Sequence, residues 1–436
     1  MKSNRAPQQF GFWMCFALVV GNMIGSGIFM LPVALAPYGL NSVLAWLFTA
    51  SGALALAVVF ACLSRAFPHE SGPYGYTHAA FGPFPAFLVA WGYWISIWVG
   101  NAAIATGAVS YLTPLFPWVG NAPGRSASVT LVVLWVLTLV NWYGVRAVGW
   151  VQNVTTVMKL MPLLAVAGIG VWFVRGTQLA AAVPLSLSGT TAAATLTLWA
   201  LLGLESATVP ADRVRNPART IPRATMAGTI TTAIICVAAC SVVLLLMPAA
   251  QLANSNAPFA DVARLLWGER PAQLVAFFAA VSGFGALNGW ILLQAELPRA
   301  MASAGVFPRV FARQSPRHTP TFALMFTSVL VSILVIMNFH TSMAKIFTFM
   351  ILLSTTACLI MYLLCSLALL SLMSKGRLEG ARRGTASLAA VGVAATLYSL
   401  WTIVGAGREA ALWAAVLLVL GVPVFALSRA SAAKSA

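Results

Sequence analysis

Long apolar runs separated by short polar segments dominate this chain. No Asp, Glu, Lys or Arg occurs from Gly11 to Ser64, a stretch long enough for two bilayer crossings with a turn at Pro37-Tyr38-Gly39. A second charge-free run covers Ser71–Gly124, and others recur as far as Ala410–Ser428. Ala147–Val174 reads as one more span, interrupted only by Lys159. The pattern predicts helices near residues 11–33, 42–64, 85–113, 127–146, 151–174, 191–210, 225–248, 272–298, 320–338, 346–373, 385–405 and 409–428. About twelve such spans define an all-α integral membrane protein, a single transmembrane domain over residues 1–436. Strands of an outer-membrane barrel would alternate over short segments instead.

Composition sharpens this picture. Of 436 residues, 60% are hydrophobic and only 8% charged, against about a quarter charged in an ordinary soluble domain. A long water-soluble domain is therefore excluded. With the N-terminus cytoplasmic, 18 of the 25 Lys and Arg fall in one set of loops and 6 in the other, with Lys159 left inside a helix. By the positive-inside rule both termini face the cytoplasm, which predicts a multi-pass protein of the inner membrane. The net charge of +17 is then a topology signal. A nucleic-acid partner would want its basic residues on one soluble face, and none is expected. Lys2 and Arg5 precede the first span, but no small-residue cleavage site follows it, so it reads as a spanning helix rather than a removable signal.

The six cysteines all lie inside predicted helices and read as packing residues, with no zinc-ligand spacing and no disulfide framework. No metal and no cofactor are expected.

Two of the helices carry signs of interruption. In the first span, Gly21-Asn22-Met23-Ile24-Gly25-Ser26-Gly27-Ile28-Phe29 puts three small residues near mid-membrane. They let the helix unwind and turn free N–H groups toward a carboxylate. Gly21 and Gly25 also satisfy a small-residue packing motif, so both readings stand. In the sixth, Leu198 to Ser206 places Gly203 and an acid at comparable depth. Helices five apart are what an inverted repeat of two five-helix halves would interrupt. The halves would be 11–174 and 191–373, with 385–428 as two extra helices.

Charge at membrane depth is rare and informative. Of the eight acids, Glu205 and Glu296 fall within spans. Glu296 lies three residues before Arg299 and is expected to pair with it. Glu205, beside the sixth-span interruption, is the candidate functional acid. Lys159 is the remaining intramembrane charge and needs a partner or a solvating cavity. Burial disfavours the charged form of both Glu205 and Lys159, so either could change protonation during a cycle.

At these residues the chain resembles the amino acid–polyamine–organocation superfamily, in particular its basic amino acid and polyamine antiporters. The likeness is carried by Gly21 to Phe29, Tyr93 to Asn101, Leu198 to Ser206, Val214 to Pro222, Leu252 to Phe259 and Gly289-Trp290, in order along the chain. It implies a five-plus-five inverted repeat of the leucine-transporter type, with the first and sixth helices broken, working by alternating access. It also implies substrate contacts at Ile24, Ser26 and Gly27 for the carboxylate. Trp199 would stack on the cationic or aliphatic part, Trp290 would form a second wall, and Leu202 stands beside Trp199. Ser96, Asn101 and Ser354 match side-chain contact positions. Tyr93 and Tyr362 match gate aromatics, Tyr74 a residue tied to pH control, and Glu205 the acid of the sixth helix. Lys159 resembles a helix-five lysine whose ammonium replaces a sodium ion in other members. Trp94 and Trp98 are read as packing.

The implied function is exchange of a cationic amino acid for its decarboxylated amine or a polyamine. A carrier of neutral amino acids is the alternative, since Lys159 and the apolar Ile97 and Ile104 depart from the arginine exchangers. The partners are a small-molecule substrate and the lipid bilayer, and a homodimer is left open. An enzyme is disfavoured because His69, His78, His318 and His340 all fall near helix ends or loops, away from any intramembrane acid or cysteine.

Overall fold

The computed structural model describes residues 10–25, 27–68, 72–143, 145–174, 183–208, 211, 214–316, 319–338, 340–378 and 385–433. It consists of helices α1 (Phe12–Met23), α2 (Gly27–Leu35), α3 (Leu40–Ala66), α4 (Gly72–Phe81), α5 (Pro83–Ser110), α6 (Pro123–Trp142), α7 (Val145–Gly170), α8 (Leu187–Trp199), α9 (Pro217–Leu246), α10 (Ala249–Leu252), α11 (Pro258–Trp267), α12 (Glu269–Ser303), α13 (Thr321–Met337), α14 (Met343–Ser374), α15 (Thr385–Gly405), α16 (Gly407–Val419) and α17 (Gly421–Ala433).

Among the described residues, nine segments are long and apolar enough to cross a membrane, and Met158–Phe173 and Thr321–Met337 are shorter apolar helices. Eleven of the predicted spans correspond to these segments. The sixth does not, because α8 ends at Trp199 instead of running on to residue 210. The last span also differs, with a one-residue interruption at Leu420. Pro423 lies in the first turn of α17 and has no N–H to return to Val419, which weakens the ladder there. The turn at Pro37-Tyr38-Gly39 is present, with Gly39 at φ 53°.

Burial sorts the helices by layer. Along α5 every residue from Val89 to Ser110 is buried, as expected of a helix apolar on all sides, and α14 packs along it. The outer helices α6, α15 and α16 instead expose large apolar side chains, among them Val132, Val404 and Leu412. In water such a surface would be an aggregation hazard, and in a bilayer it is the lipid-facing wall.

Two stretches leave helical geometry, and each has a local cause. At the end of α1 the Gly25 N–H bonds Met23 O at 3.1 Å, so the helical partner of Gly21 O is withdrawn. Ile24 then takes extended backbone, with φ −82° and ψ 90°. After α8, the N–H groups of Ala200, Leu201 and Leu202 bond carbonyls three residues back, which tightens the last turn. Gly203 follows at φ 102°, a conformation that costs a side-chain-bearing residue but not glycine.

The end of α8 is held from outside. Thr49 of α3 pairs with Thr197 at 2.7 Å and donates to Ala194 O. From α15, Trp401 donates to Thr191 Oγ1 at 2.9 Å, and Thr195 donates to Thr402 O at 2.6 Å. Each such buried bond contributes about 0.5–1.5 kcal/mol. Together they anchor the helix whose last residue is Trp199.

Candidate functional site

A buried cavity of about 40 Å³ lies where the α1–α2 interruption meets α5, α12, α14 and the turn after α8. The sequence-predicted residues Gly27, Tyr93, Ser96, Trp199, Leu202, Glu205, Trp290 and Ser354 all line it. These come from five separate parts of the chain.

Trp199 is the centrepiece. A methyl group on Gly27 would run into the nitrogen edge of its indole, and one on Gly100 would come within 2.8 Å of its far rim. The indole is thus wedged between two glycines, which are glycines because nothing larger leaves room. Across from it, α5 and α14 are joined where Ser354 donates to Ser96 O at 2.7 Å and pairs with Ser96 Oγ at 3.0 Å. A cavity of this size has room for a few waters.

The carboxylate of Glu205 is fully buried. Its Oε2 accepts a hydrogen bond from Tyr362 at 2.9 Å. Tyr93 is close enough to interact with the same carboxylate, yet its hydroxyl and Glu205 Oε1 both lack a well-formed hydrogen bond among the described residues. A carboxylate at this depth costs several kcal/mol unless it is paired or solvated. Tyr362 is the well-formed side-chain partner, and the unpartnered Oε1 leaves this acid with capacity to accept a further hydrogen bond.

Other predicted residues lie apart from the wall. Lys159 is fully buried, and its ammonium donates to Gly21 O at 2.6 Å. This is the carbonyl freed by the interruption, at the negative end of α1. Asn101 is buried, with its side chain turned to Gln294 of α12. Ile24 is buried in the interruption itself, and Tyr362 is outside the lining but joined to it through its hydrogen bond to Glu205. Tyr74 stacks on His78 within α4, ring centroids 5.9 Å apart, and is not part of the cavity lining. Ser26 lies outside the described residues. Elsewhere, Glu296 pairs with Arg299 at 2.6 Å. Trp94 sits in an aromatic cluster with Trp91, Phe307 and Phe311, in keeping with a packing role.

Three residues escaped sequence reasoning. Asn22 and Cys358 line the cavity, and Cys358 had been expected only to pack. Gln294 holds Asn101. Asn22 stood inside the first-span motif as its one amide. Gln294 was visible as an amide in an apolar helix, but a filter for charged residues passes over it.

A helical, multi-pass membrane protein with a small buried chamber at a helix interruption, walled by aromatics and one carboxylate, has the build of a solute carrier. The chain belongs to the amino acid permease family, whose model matches residues 10–427. It is 31% identical over 432 residues to the putrescine transporter PotE of Haemophilus influenzae, covering 96% of each chain. To the putrescine transporter PotE of Escherichia coli it is 30% identical over 431 residues, covering 98% of this chain and 97% of the relative. With the cadaverine/lysine antiporter of Escherichia coli it shares 34% identity over 342 residues, 76% of this chain and 75% of the relative.

Proposed function

We propose that this protein exchanges a cationic amino acid for its decarboxylated amine or a polyamine across the inner membrane. The observation that carries the reading is the pairing of Trp199 and Glu205 in the lining of one cavity. An indole face attracts an organic cation by about 0.5–2 kcal/mol, more when water is excluded. A buried carboxylate with an uncommitted oxygen complements the same charge. The relatives named for putrescine and for cadaverine with lysine support a substrate of this class. A basic amino acid and its diamine share the cationic chain and differ by one carboxylate. That carboxylate would meet the N–H groups at the start of α2, the positive end of a helix.

Alternating access would work through two inverted repeats, residues 11–174 and 191–373, with 385–428 added outside them. The interruptions after α1 and α8 would be the broken helices that open and close the site, and both termini would face the cytoplasm. Ser96, Ser354 and Asn101 would supply polar contacts around the substrate, with Ile24, Ser26 and Gly27 at its carboxylate and Leu202 and Trp290 as walls. Tyr93 and Tyr362 would gate the route past Glu205, and Tyr74 would act in pH control from α4. A carrier of neutral amino acids is the second reading, favoured by Ile97 and Ile104 in the cavity wall.

Counterflow in proteoliposomes tests the proposal. Vesicles preloaded with putrescine or lysine should accumulate labelled putrescine, whereas empty vesicles should not. Accumulation driven only by preloaded leucine would favour the neutral reading, and equal flux without any preload would exclude exchange. Trp199 should matter in the same assay. Trp199→Leu should weaken apparent affinity by about tenfold, the scale of a desolvated cation–π contact, and Trp199→Phe should lose less. Unchanged affinity in a folded leucine variant would remove Trp199 from the site.

A further inference from the structure

The buried amide of Asn101 raises a question of orientation. Asn101 lies on α5 between Ile97 and Ile104, four residues after one and three before the other, and both line the cavity. It therefore lies on the flank of their face of the helix, directly behind the lining rather than in it. Its Nδ2 donates to Gln294 Oε1 at 2.7 Å. Gln294 is held in this orientation by a chain of donors: its Nε2 donates to Ser328 Oγ at 3.0 Å, Ser328 donates to Thr138 at 3.0 Å, and the Thr138 hydroxyl is itself spent on Leu134 O at 2.8 Å. The Gln294 backbone is held too, its carbonyl accepting from Trp94 Nε1 at 3.1 Å and from Thr327 Oγ1 at 3.4 Å. Asn101, Gln294 and Ser328 are all fully buried.

One atom is left over. Asn101 Oδ1 is buried with no hydrogen-bond partner among the described residues. A buried acceptor without a donor is costly, and its persistence calls for an explanation. Ile97 and Ile104, neighbours of Asn101 along the helix, belong to the cavity wall, so the orphaned oxygen lies next to the space a substrate would enter.

We infer that Gln294 is a positioning residue for substrate selection. By engaging the Asn101 N–H₂ group, it leaves Oδ1 as the atom that α5 can offer to a bound molecule. Given the cationic substrate proposed above, an ammonium donor satisfies that oxygen, whereas a group that can only accept hydrogen bonds does not. Freed from Gln294, the amide could turn over and present N–H₂ instead, which repels a cation's donors. The glutamine thus sets the sign of the hydrogen bond without touching the substrate.

The test is concentration-dependent exchange of putrescine and lysine by the full-length protein in proteoliposomes, with thermal melting recorded for every variant. Gln294→Met keeps length and apolar packing but releases Asn101. It should raise the half-saturating concentration by about tenfold or more, the scale of one hydrogen bond to a charged group, with the maximal rate within about twofold of wild type. Gln294→Glu retains an acceptor for Nδ2 and should recover most of the lost affinity. Asn101→Leu removes the acceptor itself, so adding Gln294→Met to it should cost little further. The inference is overturned if Gln294→Met exchanges with wild-type affinity. It is also overturned if affinity and maximal rate fall in proportion to lost thermal stability in both Gln294 variants. Failure of the wild type to exchange either compound would instead overturn the cationic reading, and the inference with it.

Discussion

Gly27→Val should abolish exchange while Gly25→Ala leaves most of it intact. Both glycines belong to one small-residue cluster, and only their surroundings separate them. A Cβ on Gly25 would meet only Ala286 Cβ at 3.4 Å, an ordinary contact, whereas at Gly27 it enters the space of the Trp199 indole. Trp199 cannot simply back away, since Gly100 stands against its other rim. Overfilling a packed site costs about 1–3 kcal/mol. Here that cost falls on the residue proposed to hold the substrate cation and on the first N–H groups of α2. A loss of roughly two orders of magnitude in exchange is the expected result. Labelled putrescine counterflow by purified, folded variants measures it. Normal exchange by Gly27→Val would mean that the α1–α2 interruption is a packing feature and not the binding element.

The second large effect is expected at Lys159. Its ammonium takes the carbonyl of Gly21, which lost its helical donor when the Gly25 N–H turned to Met23 O. The contact ties α7 to the end of α1, and under the proposed mechanism a fixed ammonium there would do the work of a bound sodium ion. Lys159→Ala leaves the carbonyl buried without a donor and opens a void beside the interruption. A hydrogen bond to a charged group contributes about 1.5–3 kcal/mol, and its loss at the hinge should eliminate exchange. Wild-type exchange should persist when choline replaces sodium. A strict sodium requirement would sink the proposed role of the ammonium. Lys159→Met separates charge from bulk, and normal exchange by that variant would reduce Lys159 to a packing residue. In the same preparation, Glu205→Gln should change the pH dependence of exchange between about pH 5 and 8, because it removes the one acid in the cavity lining. An unaltered profile would take Glu205 out of any proton-linked step.

How much of the site was legible in the sequence can be judged from single residues. Glu205 and Gly27 were visible because each breaks a rule of the bilayer, a charge at depth or small residues where a helix should run on, whereas Trp199 was singled out only by the family resemblance. All three line one cavity. Asn22 was hidden by being uncharged, and Cys358 by looking like an ordinary small core residue. Asn101 was singled out only through the family resemblance, and its partner was not foreseeable. The contact with Gln294 spans 193 residues of chain, and nothing in local periodicity encodes it.

The sequence by itself determined the class of protein, the approximate limits of eleven of its twelve predicted spans, and the short list of residues able to do chemistry. Lipid enforces this, since a crossing must satisfy its own backbone and carry about 20 apolar residues, and each intramembrane polar group must have a purpose. Tertiary structure alone decided which of those residues meet. It ended the sixth span at Trp199, lodged that indole between Gly27 and Gly100, joined Lys159 to Gly21, turned Asn101 toward Gln294 and left Tyr74 against His78. The physical reason is that hydropathy is summed along one helix, whereas a hydrogen bond or a steric wedge depends on how separate helices pack. Small changes in that packing exchange one partner for another while leaving every span unaltered.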